Sequence, residues 1–285
     1  MAEPGGKIGV SIRARLLNLA KRNNEQFELM LTRFVLERFL HRLSLTRYRE
    51  SFVLKGAMLV TKWIADPHRQ TRDIDFLKFG DPAPETLLGA FGETCAVRLD
   101  DAGLRIDKIR ETVAYGGLRI TTTATLGGAR VKVVIDVGFG DATEPGVEEI
   151  IYPVLLDLPA PRLRAYARET VIAEKFQAMV MFGRANSRLK DYHDLWILSR
   201  TYEFVGDRLP RAIAATFARR GTAIPAAPPE GVSDAFAATP ERLRQWEEFV
   251  DEIGEEPVAL IKVVHDLVAF LMPHAAAARM VPLPG

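Results

Sequence analysis

A single cysteine, Cys95, leaves no internal disulfide to be made in a chain of 285 residues. That excludes the disulfide-stapled secreted class and points to a reducing compartment. Cys95 itself reads as a small buried hydrophobe. Long apolar runs are also missing. The best candidate, 258–272, is interrupted by Lys262, His265 and Asp266, and it falls short of the ~20 residues of a membrane span. Met1 to Val10 lacks the charged region and continuous apolar stretch of a signal peptide. Neither sign of charge is in excess: 38 Lys and Arg against 37 Asp and Glu leave +1. A local basic patch can sit inside such a neutral total, so the balance neither favours nor excludes a nucleic-acid partner. Internal repeats and low-complexity tracts are absent. The expectation is a cytoplasmic globular protein with no membrane partner, long enough for one large domain or two ordinary ones.

What is present changes character along the chain. Phe27, Met30, Leu31, Phe34, Val35 and Phe39 recur at three- and four-residue steps, the spacing of one helical face. From about 50 to 141 the period shortens. Apolar runs at 52–54 and 74–77 and the threonine-rich run 118–126 read as strands. Val131, Val133, Ile135 and Val137 alternate with Lys132, Val134 and Asp136, the two-residue period of a half-buried strand. Gly127-Gly128 between the last two runs reads as a hairpin turn. Helical patterns at 57–64 and 84–94 fall between the strands, so this half is a small α/β region with an at least partly antiparallel sheet. From about Pro159 strand signals vanish, and helices are expected over 170–182, 187–201, 209–219, 239–253 and 257–272. Thr170 and Thr239 are plausible N-caps. Segment 221–238 reads as a surface loop, and the domain boundary is expected near 155.

Asp73-Ile74-Asp75 is the first pattern that carries chemistry. Residues two apart on a strand share a face, so both carboxylates point one way while Ile74 enters the core. Like charges that close repel unless a cation lies between them, and magnesium, which takes oxygen ligands, answers that need. Taken alone, the pair reads equally as two solvated aspartates at a strand end. Asp136 supplies a third carboxylate from a second strand, where an antiparallel pairing would bring it beside the first two. Three carboxylates on neighbouring strands suit two-metal phosphoryl transfer. Upstream, Lys55-Gly56-Ala57 joins a strand to a helix, a turn at which backbone N–H groups approach a phosphate. Asp141 reads as a turn residue, His193 as a packing or surface residue, and Trp63, Trp196 and Trp246 as core anchors.

These motifs resemble the AbiEii-type nucleotidyltransferases, toxin halves of bacterial AbiE-like toxin–antitoxin systems that share the fold of DNA polymerase β-type transferases. Lys55-Gly56-Ala57-Met58-Leu59 followed by Arg69-x-Thr71-x-Asp73-Ile74-Asp75-Phe76 matches the first motif, and Asp136 falls where the second belongs. Segment 170–178, containing Glu174-Lys175, matches the third, and Arg188-x-Lys190-Asp191-x-x-Asp194-Leu195 the fourth. Superfamily members commonly carry Gly-Ser or Gly-Gly where this chain has Gly56-Ala57. The resemblance implies an α+β fold: a nucleotidyltransferase-like mixed sheet flanked by helices over 1–155, then a helical domain over 156–285 that completes an active-site cleft. It implies that Asp73, Asp75 and Asp136 hold Mg2+, or Mn2+ in its place. Lys55, Gly56, Ala57, Arg69, Thr71 and Lys175 would bind the NTP. Asp191 would orient Lys175 or act as a base, and Asp194 or Asp191 would pair structurally with Arg188 or Lys190. The implied acceptor is RNA, at the 3′ end of tRNA, with Arg72, Arg188 and Lys190 as candidate contacts, and the implied partner is a cognate antitoxin protein. Two alternatives stand beside this reading: a degenerate transferase fold kept for RNA or partner binding, and a transferase that modifies a protein hydroxyl.

Overall fold

In the computed structural model the described residues are 4–64, 71–99, 104–106, 110–114, 117–254, 256 and 258–282. They form two compact units, one of 1–140 with 148–165 and the other of 141–147 with 166–285.

The first unit opens with α1 (Pro4–Asn23) and α2 (Phe27–Ser44), then β1 (Phe52–Lys55), α3 (Ala57–Ile64), β2 (Asp73–Lys78) and α4 (Pro84–Ala96). Strands β3 (Leu104–Ile106), β4 (Arg110–Ala114), β5 (Gly117–Leu126), β6 (Ala129–Phe139), β7 (Val147–Ile151) and β8 (Arg162–Tyr166) complete it. The eight strands make one mixed sheet in the order β3-β5-β6-β2-β1-β8-β7, with β4 paired to β5. Gly127 and Gly128, both at positive φ, turn the β5–β6 hairpin between the paired residues Leu126 and Ala129. Two successive positive φ values favour glycine at both positions.

One face of the sheet is the core. Ile74 and Phe76 of β2, Ile135 and Val137 of β6 and Ile120 of β5 are buried. Phe52 and Phe76 pack edge to face at 5.4 Å, and Phe91 of α4 lies 4.9 Å from Phe52 and 5.9 Å from Phe39 of α2. Such pairs add to the burial of large apolar area. The spacing read in the sequence at Phe27–Phe39 thus belongs to α2, whose Met30, Leu31, Phe34, Val35 and Phe39 are all buried.

Three expectations need correction. Asp136 reaches the Asp73–Asp75 strand through a parallel pairing of β2 with β6, because the chain between them passes through α4 and β3–β5 before returning in the same direction. Strands do not end at Pro159: β8, in which buried Leu163 and Ala165 alternate with Arg162 and Arg164, pairs in parallel with β1. At five residues with two arginines it is too short and too charged to announce itself. Thr170 is not an N-cap. Ala167 precedes the helix, and Thr170 Oγ1 donates instead to the Glu144 carbonyl at 2.6 Å.

The second unit is helical: α5 (Arg168–Phe182), α6 (Leu189–Thr201), α7 (Arg208–Arg219), α8 (Asp234–Ala237), α9 (Pro240–Ile253) and α10 (Leu260–Ala278). The loop expected over 221–238 contains α8 and a short 3-10 turn at Glu230–Val232. Helix α10 runs beyond 272 through Pro273. Among the described helices it is the one long and apolar enough to cross a membrane by length and composition. Its Leu260, Val263, Val264, Leu267 and Leu271 are nevertheless fully buried within the unit, the stripe of a helix that packs against its neighbours. Segment 141–147 is tied to these helices by Arg220–Asp141 at 3.3 Å and Arg211–Glu144 at 3.1 Å.

Candidate active site

Three strand registers align the candidate residues of the first unit. Lys55 on β1 pairs with Asp75 on β2, Asp75 with Asp136 on β6, and Asp136 with Arg119 on β5. Residues paired across strands share a face, so these four form one row over four adjacent strands, each about 4.8 Å from the next. The row is ordered cation, carboxylate, carboxylate, cation. Asp73, two residues before Asp75, lies on the same face, and the intervening Ile74 is buried. Two adjacent carboxylates are costly unless opposed by positive charge, and the row has such charge at either end.

Local geometry sets each carboxylate. Gly56 follows Lys55 with φ +69°, and a Cβ built there would run into Asp75, 2.7 Å from its Cγ. Glycine therefore both permits the left-handed backbone at the β1–α3 turn and makes room for the Asp75 side chain. Ala57 is the first residue of α3, and its backbone follows that turn directly. Thr71 Oγ1 donates to Asp73 Oδ1 at 2.6 Å, so the threonine placed by sequence with the nucleotide contacts orients an aspartate. Asp136 accepts two hydrogen bonds from Arg119, from Nε to Oδ1 and from Nη2 to Oδ2, each at 2.7 Å. The hydrogen bond and charge of Asp136, with smaller contributions from Asp73 and Asp75, raise the Arg119 pKa above its ordinary value. Arg119 went unnoticed in the sequence because an arginine in a threonine-rich strand looks like any exposed residue. Only the hairpin register, readable from Gly127-Gly128, would have placed it opposite Asp136. Arg72 is exposed. Arg69 lies outside the described residues.

As a metal centre the fit is partial. Asp73 and Asp75 offer the oxygen-only donor set that hard divalent cations take, and the space that a Cβ at Gly56 would fill is left to Asp75. Asp136 has the matching chemistry and register, but its two oxygens face Arg119. Among the described residues no group of three His, Cys, Asp or Glu side chains is arranged to hold an ion.

The candidates in the second unit also come together. Lys175 on α5 donates to Asp191 on α6, and to Asp194 Oδ2 at 3.0 Å. The lysine is 12% exposed, Asp191 16% and Asp194 0%, so the trio is a shielded charge cluster. Both aspartates meet Lys175 rather than Arg188 or Lys190. Those two exposed cations lie over aromatic rings instead, Arg188 over Phe182 at 5.1 Å and Lys190 over Phe249 at 5.9 Å. His193 is fully buried among Trp196, Trp246 and Phe249, a packing role. One residue of this unit was missed, and the role of another was underread. Arg220 donates to Glu174 at 2.8 Å, to Gln177 at 2.9 Å and to Asp141 at 3.3 Å, so Asp141 is more than a turn residue. Glu174, beside Lys175 in the third motif, is thereby held. Cys95 is half-buried, and its thiol is pushed up to about 11 by burial, which leaves little thiolate at neutral pH.

Comparison with known proteins places this geometry. No curated protein matches the chain. Among the solved structures that share its fold are two from Helicobacter pylori. One is a Helicobacter pylori protein provisionally described as a nucleotidyltransferase, at 14% identity and a TM-score of 0.54, covering 91% of this chain and 100% of that one. The other is JHP933 from Helicobacter pylori, at 13% identity and a TM-score of 0.51, covering 90% of this chain and 95% of that one. The family model for the nucleotidyl transferase AbiEii toxin of type IV toxin–antitoxin systems matches residues 38–271, a span that takes in the acidic row and the lysine cluster alike. The chain belongs to the AbiEii family of nucleotidyltransferase toxins.

Proposed function

We propose that this protein transfers a nucleoside monophosphate from an NTP to an RNA hydroxyl, with the 3′ end of tRNA as acceptor, and that this transfer makes it the toxin of its pair. The observation that carries the reading is the row Lys55–Asp75–Asp136 on neighbouring strands, with Asp73 on the same face and Gly56 making room for Asp75. The acceptor oxygen bonds to the α-phosphorus, the bond from that phosphorus to the bridging oxygen breaks, and pyrophosphate leaves. Asp73, Asp75 and Asp136 are the residues that would hold Mg2+ or Mn2+. The ion would supply charge neutralisation at the triphosphate and lower the pKa of the attacking hydroxyl.

The chain's own groups have separable tasks in this reading. Thr71 fixes the orientation of Asp73. Lys55 and the backbone N–H groups at Gly56-Ala57 receive the triphosphate, and Asp136 takes the acceptor proton. Lys175 binds nucleotide phosphate, an assignment supported by the place of its motif in the chain. Its contact with Asp191 favours that aspartate as the group that orients it. Arg72, Arg188 and Lys190 are proposed RNA contacts, and the NTP and tRNA substrates put the protein in the cytoplasm. Membership of a type IV toxin–antitoxin family implies an antitoxin partner.

Purified protein incubated with each labelled NTP, Mg2+ and total tRNA tests the proposal. Label is expected in RNA, and Asp75→Asn is expected to lower it by at least 100-fold with the fold retained by circular dichroism. Label in protein would instead support hydroxyl modification of a polypeptide. RNA or partner binding without any transfer would support a degenerate transferase, and undiminished labelling by Asp75→Asn would refute the site assignment.

A further inference from the structure

Arg119 stands directly opposite Asp136 in the β5–β6 hairpin, and its guanidinium engages both carboxylate oxygens at 2.7 Å. The side chain is half exposed, 50% against 27% for Asp136. Ion pairs that exposed contribute little to stability, so the need to hold the fold together does not explain the contact. A guanidinium fork and a hard divalent cation both seek the carboxylate's lone pairs. While the fork is in place, Asp136 points along its own strand pair, and no three acidic side chains among the described residues converge on an ion. The register leaves Asp136 flanked by Arg119 on one side and Asp75 on the other. The same carboxylate therefore lies between a permanent cation and the neighbour with which it would share a metal.

We propose that Arg119 is a positioning residue that holds Asp136 in competition with the divalent cation, so that the third carboxylate joins the site only when a cation displaces the guanidinium. This rests on the reading that the acidic row binds a divalent ion. In the exchange, two N–H···O bonds are given up and a carboxylate–cation contact replaces them. The released guanidinium stays beside the site, solvated and still positive. The arrangement keeps two adjacent carboxylates compensated in the absence of the ion.

The test is direct Mn2+ binding, read from the electron paramagnetic resonance of free Mn2+, on the full-length wild type, Arg119→Gln, Asp136→Asn and the double variant. Arg119→Gln is expected to bind Mn2+ roughly fivefold more tightly, about what the loss of one competing exposed pair is worth. Damage to the fold would weaken binding, so tightening cannot arise from a merely structural role. Asp136→Asn should bind more weakly, and replacing Arg119 in that background should change nothing further. Unchanged or weaker binding by Arg119→Gln would overturn the proposal. So would an equal gain with and without Asp136, which would assign the effect to bulk charge. A wild type that binds no Mn2+ and whose Asp75→Asn variant behaves identically would refute the metal reading of the row itself, a result distinct from Mn2+ binding indifferent to Arg119.

Discussion

Replacing Gly56 by alanine sets a methyl group where the Asp75 carboxylate lies and forces a left-handed backbone on a residue that disfavours it. The backbone alone costs about 1 kcal/mol. The expected result is a modest fall in melting temperature but a loss of transferase activity of tenfold or more, because Asp75 has to move. Activity retained at the wild-type level would show that Asp75 does not need its present position. Thr71→Val tests the neighbouring aspartate. It removes the part-buried 2.6 Å bond to Asp73 Oδ1 while keeping shape, and kcat should drop about tenfold while stability falls only modestly, since such a hydrogen bond contributes a net ~1 kcal/mol. At this scale the identities of the carboxylates, of Gly56 and of Lys175 were legible in the sequence through spacing and motif. Their partners were not. Arg119 and Arg220 each bond to a neighbour chosen by register or by helix packing, and nothing in either residue's own flanks announces that choice.

Elements place charge where water cannot screen it. On α2, Glu37 is fully buried and accepts from the Leu155 N–H at 3.1 Å, while Arg33 stands 3.7 Å away, beyond hydrogen-bonding reach. Burial outweighs these partners and pushes the carboxyl from 4.5 up to about 8. A raised folded pKa means that the folded state holds the proton more tightly. The contribution is fully present below 4.5 and is lost as pH rises through about 8. Urea unfolding across that window should show stability falling with pH, and Glu37→Gln should flatten the slope. A variant whose slope matches the wild type would refute the assignment. Between α5 and α6, Lys175→Ala would remove one ion pair from the buried Asp194 at a cost of about 3 kcal/mol. Chemical unfolding should reveal that loss, and Lys175→Arg should recover most of the stability without full activity.

At the scale of the molecule, the chain enters the helical unit at 141–147, returns to the sheet for 148–165 and leaves again. A break at 155 would therefore strip β8 from its place between β1 and β7 and leave β7 without its partner. A fragment of residues 1–155 should be poorly soluble and unfold without a cooperative transition, whereas one ending at 165 retains every strand of the sheet up to its last residue. Comparable thermal transitions for the two fragments would contradict this role for β8. The sequence-based boundary near 155 came from composition, which registers a proline-containing segment but not a strand of five residues paired with one more than a hundred residues earlier.

Alternation in β6, the helical stripe of α2, the glycine pair of the hairpin and the four motifs determined from sequence alone that this is an α+β nucleotidyltransferase with carboxylates on two strands. Those features are local: side-chain periodicity and turn chemistry are written into consecutive residues. Tertiary structure decided that β2 and β6 run parallel, that Arg119 holds Asp136 and that Lys175 sits between two aspartates of α6. Each of these depends on which strand or helix lies alongside, a choice made by burial of the whole apolar face and therefore invisible in any one stretch of chain.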